Sequence, residues 1–477
     1  MSVDSLARST TDGLTLNLYR GEDMVLLAFD IDDTLKKPDF VGFGIQYFIG
    51  NATQPRDVFN FLTFKRVRLA AKAAKKEIDL ADRTSMRAPI QQFRWAHVPS
   101  VPIDDVVTYQ VSAMFFNGNN PPIAKATTRA SINVHRATRG TFLNVGFTRG
   151  FASSQAYERN FPGQRKIIPP TGKPQLHFDI SPFVGDKKPY PWLGFEARRI
   201  LLDYIDECKA DPSVLIDVFA YDLSDSEIVD RLEAFKSRLR ILIDDSDKHG
   251  TPKSDETEAF KRLKVSAGEN NVARHHFSGL QHNKVIIARR KAGNTATPFA
   301  VSTGSTNFSL GGIYIQNNNL LLFRDPDVAK FYANVFDSAF PQAAGFSGKP
   351  VATQWFEKAL PDAGTYRFCF SPHKKKSTLS MKPLADAING AKKSVFYAIA
   401  FRSAESGLAD QALDNLDPDK LLVMGVANMA GKPKSNTLKV QLPGRAHQKP
   451  AGTVQVGMGR RRRHPYAPQV RRMRFQR

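Results

Sequence analysis

At 477 residues, 42% of them hydrophobic, the chain is long enough for about three domains and a sizeable buried core. The formal charge of +22 suggests a polyanionic partner, but from Leu421 onward there are 13 Lys and Arg and no Asp or Glu; without that tail, 55 basic residues face 46 acidic ones. A body so mildly basic permits phosphate-rich partners without demanding them, and the tail's arginine run reads as a solvated, disordered end.

Two cysteines, Cys208 and Cys369, both in segments that read as core, exclude a disulfide framework. The start, MSVDSLARSTTDG, lacks an apolar signal-like run, and LLVMGVANMA is too short to cross a bilayer. A cytoplasmic protein without a transmembrane segment is expected.

Residues 1–135 read as an all-β accessory domain built from LTLNLYR, DMVLLAFDI, VGFGIQYFI, VVTYQVSAMFF and ATTRASINV. VTYQVSAMFFNG, followed by Pro-Pro and another strand, resembles the end of a fibronectin type III or immunoglobulin-like sandwich, which would put Tyr109 at a tyrosine corner. Within this region LLAFDIDDTLKK, with Asp30, Asp32 and Thr34, resembles the opening of haloacid dehalogenase-type phosphatases, with Asp244 and Asp245 as conceivable metal partners. The flanking strands lack the βαβ alternation such a fold requires, so the motif reads as a decoy.

Residues 136–188, rich in Pro and Gly around FPGQRKIIPPTGKP, read as a linker. An amphipathic helix, GFEARRILLDYIDECK, then opens an α/β segment, 189–345. Inside it HNKVIIARR and PFAVSTGS read as strands joined by a turn near Asn294. Pairing about that turn brings His282 and Lys284 beside Thr306 and Gly304, so that imidazole, ammonium, hydroxyl and carboxamide converge at one strand end. Asp325 and Pro326 start a further helix whose Val328, Phe331, Tyr332, Val335 and Phe336 form a packing stripe.

His282-x-Lys284 with Gly304-Ser305-x-Asn307 resembles the HxK, GSxN signature of the phospholipase D superfamily. The resemblance implies an α/β fold of mixed sheet flanked by helices and a metal-independent phosphodiesterase working through a phosphohistidine. It makes His282 the nucleophile, Lys284 and Asn307 holders of the non-bridging oxygens, and Ser305 an orienting hydrogen-bonder. The partner is then a phosphodiester substrate, phospholipid slightly favoured over nucleic acid. No cofactor is implied, and no zinc-ligand spacing stands out. Two positions depart from the pattern: Arg289 replaces the motif aspartate, and Asn318 stands where a glutamate is usual, able to hydrogen-bond the histidine but not to stabilise its charge.

A second repeat begins and then fails. KPLADAINGAKKSVFYAIAF echoes RRILLDYIDECKADPSVLIDVFAY, and DKLLVMGVAN echoes RLRILIDD, but no second GSxN follows. Residues 346–430 thus read as a partial repeat and 431–477 as a basic tail whose composition suggests truncation or a frameshift. The second histidine such chemistry uses would come from His447, from His464, or from a second copy in a homodimer. His275 and His276 read as structural. The alternative is a catalytically inactive remnant that binds anions or nucleic acid.

Overall fold

The computed structural model describes residues 6–427 apart from 22–23, 61, 99–102, 104, 135–141, 171, 278–279, 361–363, 400–406 and 418–420; His447 and His464 lie outside the described residues. The chain divides into two compact units, Met1–Val145 and Gly146–Arg477.

The first unit contains β1 (Leu6–Thr11), β2 (Leu14–Gly21), β3 (Met24–Ile31), β4 (Phe40–Ile49), β5 (Arg56–Asp57), α1 (Lys65–Ala73), β6 (Arg94–His97), β7 (Asp105–Phe115) and β8 (Ile123–Val134). The strands form two four-stranded sheets, ordered β1-β2-β3-β6 and β5-β4-β7-β8, with antiparallel pairing. Strict alternation drives this: Leu14, Leu16 and Leu18 of β2, Val25, Leu27 and Phe29 of β3, and Val107, Tyr109 and Val111 of β7 enter one buried cluster. Each such side chain contributes roughly 1.5–3 kcal/mol on burial.

Helix α1 escaped the sequence reading because none of its residues is buried, so no apolar period betrays it. The tyrosine-corner expectation is also corrected. Tyr109 pairs through its hydroxyl with His97 Nδ1, 2.8 Å away, a side-chain link from β7 to β6. Asp32 accepts bonds from the backbone N and the hydroxyl of Thr34, so the D-x-D-x-T stretch is an exposed turn closing β3.

The second unit runs β9 (Leu143–Phe147), α2 (Gln155–Asn160), α3 (Pro189–Ala210), β10 (Val214–Ala220), α4 (Ser226–Glu233), β11 (Leu239–Ile243), α5 (Asp255–Ala267), β12 (Val272–Arg274), β13 (Lys284–Ala292), β14 (Thr295–Gly304), α6 (Leu310–Tyr314), β15 (Asn319–Phe323) and α7 (Pro326–Ala339). Its seven-stranded sheet is ordered β12-β11-β10-β13-β14-β15-β9. β10, β11 and β12 are parallel, while β13 is antiparallel to β10, β14 to β13 and β15 to β14. β10, β11 and the first half of β13 are buried almost continuously, as strands covered on both faces must be. Helix α7 starts on Asp325, whose side chain accepts from the Asp327 and Val328 backbone N–H groups. The stretch read as a linker carries both α2 and β9, a short strand without alternation at the sheet edge.

Beyond the sheet lie a hairpin of β16 (Trp355–Leu360) and β17 (Gly364–Cys369), then α8 (Met381–Asn389), β18 (Ser394–Ile399), α9 (Leu408–Asp414) and β19 (Leu422–Ala427). β18 and β19 pair in parallel, so α8-β18-α9-β19 repeats the order and pairing of α3-β10-α4-β11. Unlike β10, β18 buries none of its side chains fully. Cys208 and Cys369 are free thiols.

Candidate active site

Three loops meet where the carboxyl ends of β10 and β11 face the start of β13 and the end of β14. Lys284 pairs with Ala220, the last residue of β10. The Tyr221 backbone N–H donates to Asn283 O at 3.1 Å, and those of Ser224 and Asp225 donate to Phe308 O at 3.0 and 3.1 Å. Gln281, fully buried, plugs the strand ends: its Nε2 donates to Ala220 O and Leu242 O, and its Oε1 accepts from Asn283 N. That anchor fixes the approach of His282.

The hairpin forms with the expected register. Ala292 pairs with Thr295 about Gly293 and Asn294, and a bulge at Ala288/Arg289 brings Ile286 opposite Ser302. His282 is exposed, its ring edge-on to Tyr221 with centroids 4.4 Å apart. Partial burial and then the Lys284 charge hold its pKa below the ordinary imidazole value. Lys284 is buried, donates from Nζ to the His282 carbonyl at 2.7 Å and lies 4.7 Å from the Tyr221 ring centre. Desolvation pushes it down to about 7, against the pull of Asp222 and Asp244.

Gly304 has φ +137°, and a Cβ there would sit 2.5 Å from Asn319 O, so the position excludes any side chain. Ser305 Oγ accepts from Asn319 N at 3.0 Å, an orienting bond. Asn307 is buried and donates from Nδ2 to Asp222 Oδ2 at 2.9 Å, leaving its Oδ1 buried without a partner.

The structure corrects the expectation for Asn318. Its carboxamide donates to Gly312 O on α6 and to Gln316 Oε1 in the loop after it, and neither partner is His282. Arg289 is absorbed by the sheet: it bonds Asp217, itself 2% exposed, and Asp337, with Arg240 completing the network.

Sequence reasoning missed Asp222, His249 and Glu256 beneath these groups and met Asp244 only beside a decoy motif. Tyr221 also contacts the buried His249 ring, centroids 4.5 Å apart. His249 Nδ1 lies 3.0 Å from Asp244 Oδ2 and its Nε2 lies 3.0 Å from Asp222 Oδ1. Burial alone would lower this imidazole, but the two carboxylates overcome it and hold it up at about 9. Burial would raise Asp222 too, but His249 draws it below the usual carboxylate range, whereas desolvation pushes Glu256 up. A metal-ligand search by residue spacing could not find Asp222, His249 and Glu256, yet their ligand atoms lie within 4.8 Å of one another. The available signal was positional: each follows or faces the carboxyl end of a parallel strand, where open α/β sheets place their sites. His276 is exposed, its Nδ1 2.6 Å from Asp245 Oδ1.

With this geometry in view, the sequence comparison is decisive for one part of the chain: residues 201–340 match the family described as cardiolipin synthase, PLD-like domain. Residues 201–340 form a phospholipase D-like domain. Three solved structures show similarity. Nuc from Salmonella typhimurium, titled a phospholipase D family member, is 24% identical, covering 31% of this chain and 88% of its own at TM-score 0.24. NucT from Helicobacter pylori is 14% identical, covering 30% and 89% at 0.24. Polyphosphate kinase from Porphyromonas gingivalis is 13% identical, covering 48% and 36% at 0.32. These TM-scores are low, and the domain's assignment rests on the sequence match. No curated protein matches the chain. Among the described residues no helix is long and apolar enough to cross a membrane.

Proposed function

We propose that the phospholipase D-like domain hydrolyses phosphodiesters through His282. A neutral imidazole nitrogen attacks phosphorus; the bond to the leaving alcohol breaks and that alkoxide takes a proton from a general acid. Water then attacks the phosphohistidine, the N–P bond breaks, and a phosphomonoester leaves. Lys284 and the second N–H of the Asn307 carboxamide face the non-bridging oxygens, where charge builds in the five-coordinate state. The observation that carries this reading is the convergence of His282, Lys284 and Asn307 at adjoining strand ends, where burial and the Lys284 charge bias His282 toward the neutral form that a nucleophile needs.

A phospholipid is the favoured substrate, because α8-β18-α9-β19 echoes the order of α3-β10-α4-β11 as a two-repeat plan would, and the matching family's description names cardiolipin synthase. The proton donor is a second copy's histidine in a homodimer, with His447 as the in-chain alternative. The N-terminal sandwich, whose likeness to fibronectin type III belongs to the same proposal, is assigned an accessory role.

The experiment is phosphoenzyme trapping on a labelled phosphodiester, wild type against His282→Ala, followed by comparison of phosphatidylcholine with plasmid DNA. Alkali-stable, acid-labile label lost in the variant is expected. Label retained by His282→Ala excludes the mechanism, and preferential DNA nicking reverses the substrate assignment. A second reading, an inactive anion-binding remnant, draws on β18 and β19: among described residues 346–427 the one histidine, His373, bonds Ala352 O and lies outside that parallel pair. Absence of both label and turnover favours it.

A further inference from the structure

Beneath the phosphate-facing groups lies a polar cluster that the proposed reaction does not use. Asp244 fixes the His249 ring: its Oδ2 lies 3.0 Å from Nδ1, and the carboxylate is itself held by Gln281 N at 2.8 Å and Ser246 N at 3.1 Å. A carboxylate only accepts, so Nδ1 carries the hydrogen and Nε2 turns the other way. There Nε2 meets Asp222 Oδ1 at 3.0 Å, with Glu256 completing a group whose ligand atoms all lie within 4.8 Å.

The His249 side chain is 3% exposed, yet Nε2 has no hydrogen-bond partner: the Asp222 oxygen is at ion-pair distance but out of line for an N–H bond. Facing carboxylates inside a protein, Nε2 needs a positive charge beside it, either its own proton in an imidazolium or a cation that takes that proton's place. Of the neighbouring cations, the exposed Lys248 acts on Asp222 only through its charge, and two others are engaged elsewhere. Lys284 Nζ bonds the His282 carbonyl, and Arg274 bonds His249 O and Thr257 Oγ1.

We propose that Asp222, His249 and Glu256 bind one divalent transition-metal cation of the zinc class, with Asp244 as the carboxylate that orients the histidine. Two donors at about 2.1 Å from one tetrahedral cation stand about 3.4 Å apart, so the 3.0 Å between Nε2 and Oδ1 needs to open by only a few tenths of an ångström to admit it. One imidazole and two carboxylates suit zinc better than magnesium or calcium, which favour all-oxygen shells. The carboxylate–histidine–metal arrangement recurs wherever a ligand ring must be aimed. The cation's role is positional: it holds Asp222, which in turn holds Asn307 through the 2.9 Å bond. The site stands independently of the phosphodiesterase reading.

The test is calorimetric titration of the untagged, chelator-treated full chain with zinc chloride, with thermal unfolding in parallel. One equivalent bound is expected, together with a rise in the unfolding midpoint of about 5 °C at a hundredfold excess over Kd. Glu256→Gln and His249→Ala should weaken binding by at least about a hundredfold, and Asp244→Asn by about ten- to a hundredfold. The exposed His276→Ala should change nothing. No stoichiometric binding by wild type, or weakening confined to His276→Ala, overturns the proposal and leaves His249 a plain imidazolium. Zinc-edge absorption spectroscopy of wild type decides the matter should the variants not fold: one imidazole with carboxylate oxygens at about 2.0–2.1 Å is expected, and a shell of waters or thiolates refutes it.

Discussion

At the scale of single residues, two neighbours in the candidate site are pushed the same way for different reasons. His282 is held below its ordinary value by burial and by Lys284, while desolvation brings Lys284 to about 7. Nucleophilic attack needs His282 neutral, so activity rises as pH climbs through that lowered imidazole value. Charge on the non-bridging oxygens needs Lys284 protonated, so activity falls again as pH passes about 7. A narrow bell with its maximum below pH 7 is expected for kcat/KM, and Lys284→Met should cost about a hundredfold and abolish the alkaline limb. A wild-type profile level from pH 6 to 9 would contradict this assignment. Gly304 is constrained as tightly, by backbone alone. With φ at +137° and Asn319 O 2.5 Å from any added Cβ, Gly304→Ala should destabilise the domain by about 3 kcal/mol, read from its urea midpoint.

At the scale of elements, the central hairpin was legible because two apolar strands flanked an unmistakable turn, and β13 and β14 pair as that pattern requires. The bulge at Ala288/Arg289 was not legible, since nothing local distinguishes those residues. Helix α1 and strand β9 stayed hidden for want of a buried period. The deeper half of the site was hidden for another reason. Asp222 follows β10, whereas His249 and Glu256 lie in the connection from β11 to β12, and only the parallel order of those strands gathers them. Arg289 shows the same dependence on partners. Read alone it breaks a motif, whereas in the sheet it shares the buried Asp217 with Arg240, bridging β13, β10 and β11, and both arginines reach Asp337 on α7. Asp217→Asn removes the one buried carboxylate between two guanidinium groups. A loss of about 3 kcal/mol in unfolding free energy is expected. A loss below about 1 kcal/mol would mean that Asp337 alone balances both arginines.

At the scale of the whole molecule, the chain divides into two units with separate cores, so each can answer acid in its own way. In the first, His97 is 8% exposed, against the Tyr47 ring and bonded to Tyr109, and burial lowers its pKa to about 4. Between pH 6.5 and 4 the unfolded chain therefore takes up a proton that the folded sandwich refuses. The stabilisation due to this histidine is complete above about pH 6.5, is lost as pH falls toward 4, and changes no further below that; the whole loss is roughly 3 kcal/mol. Intact protein titrated from pH 7 to 4 should show the sandwich transition moving down across that window, and His97→Gln should flatten this component. In the second unit His282 is also pushed below its ordinary value, but it lies outside the sandwich core, so His282→Gln should leave the acid response of the sandwich untouched. If both substitutions moved the same transition equally, the two units would be unfolding as one cooperative body, and the division of their cores would not be a division of their stability.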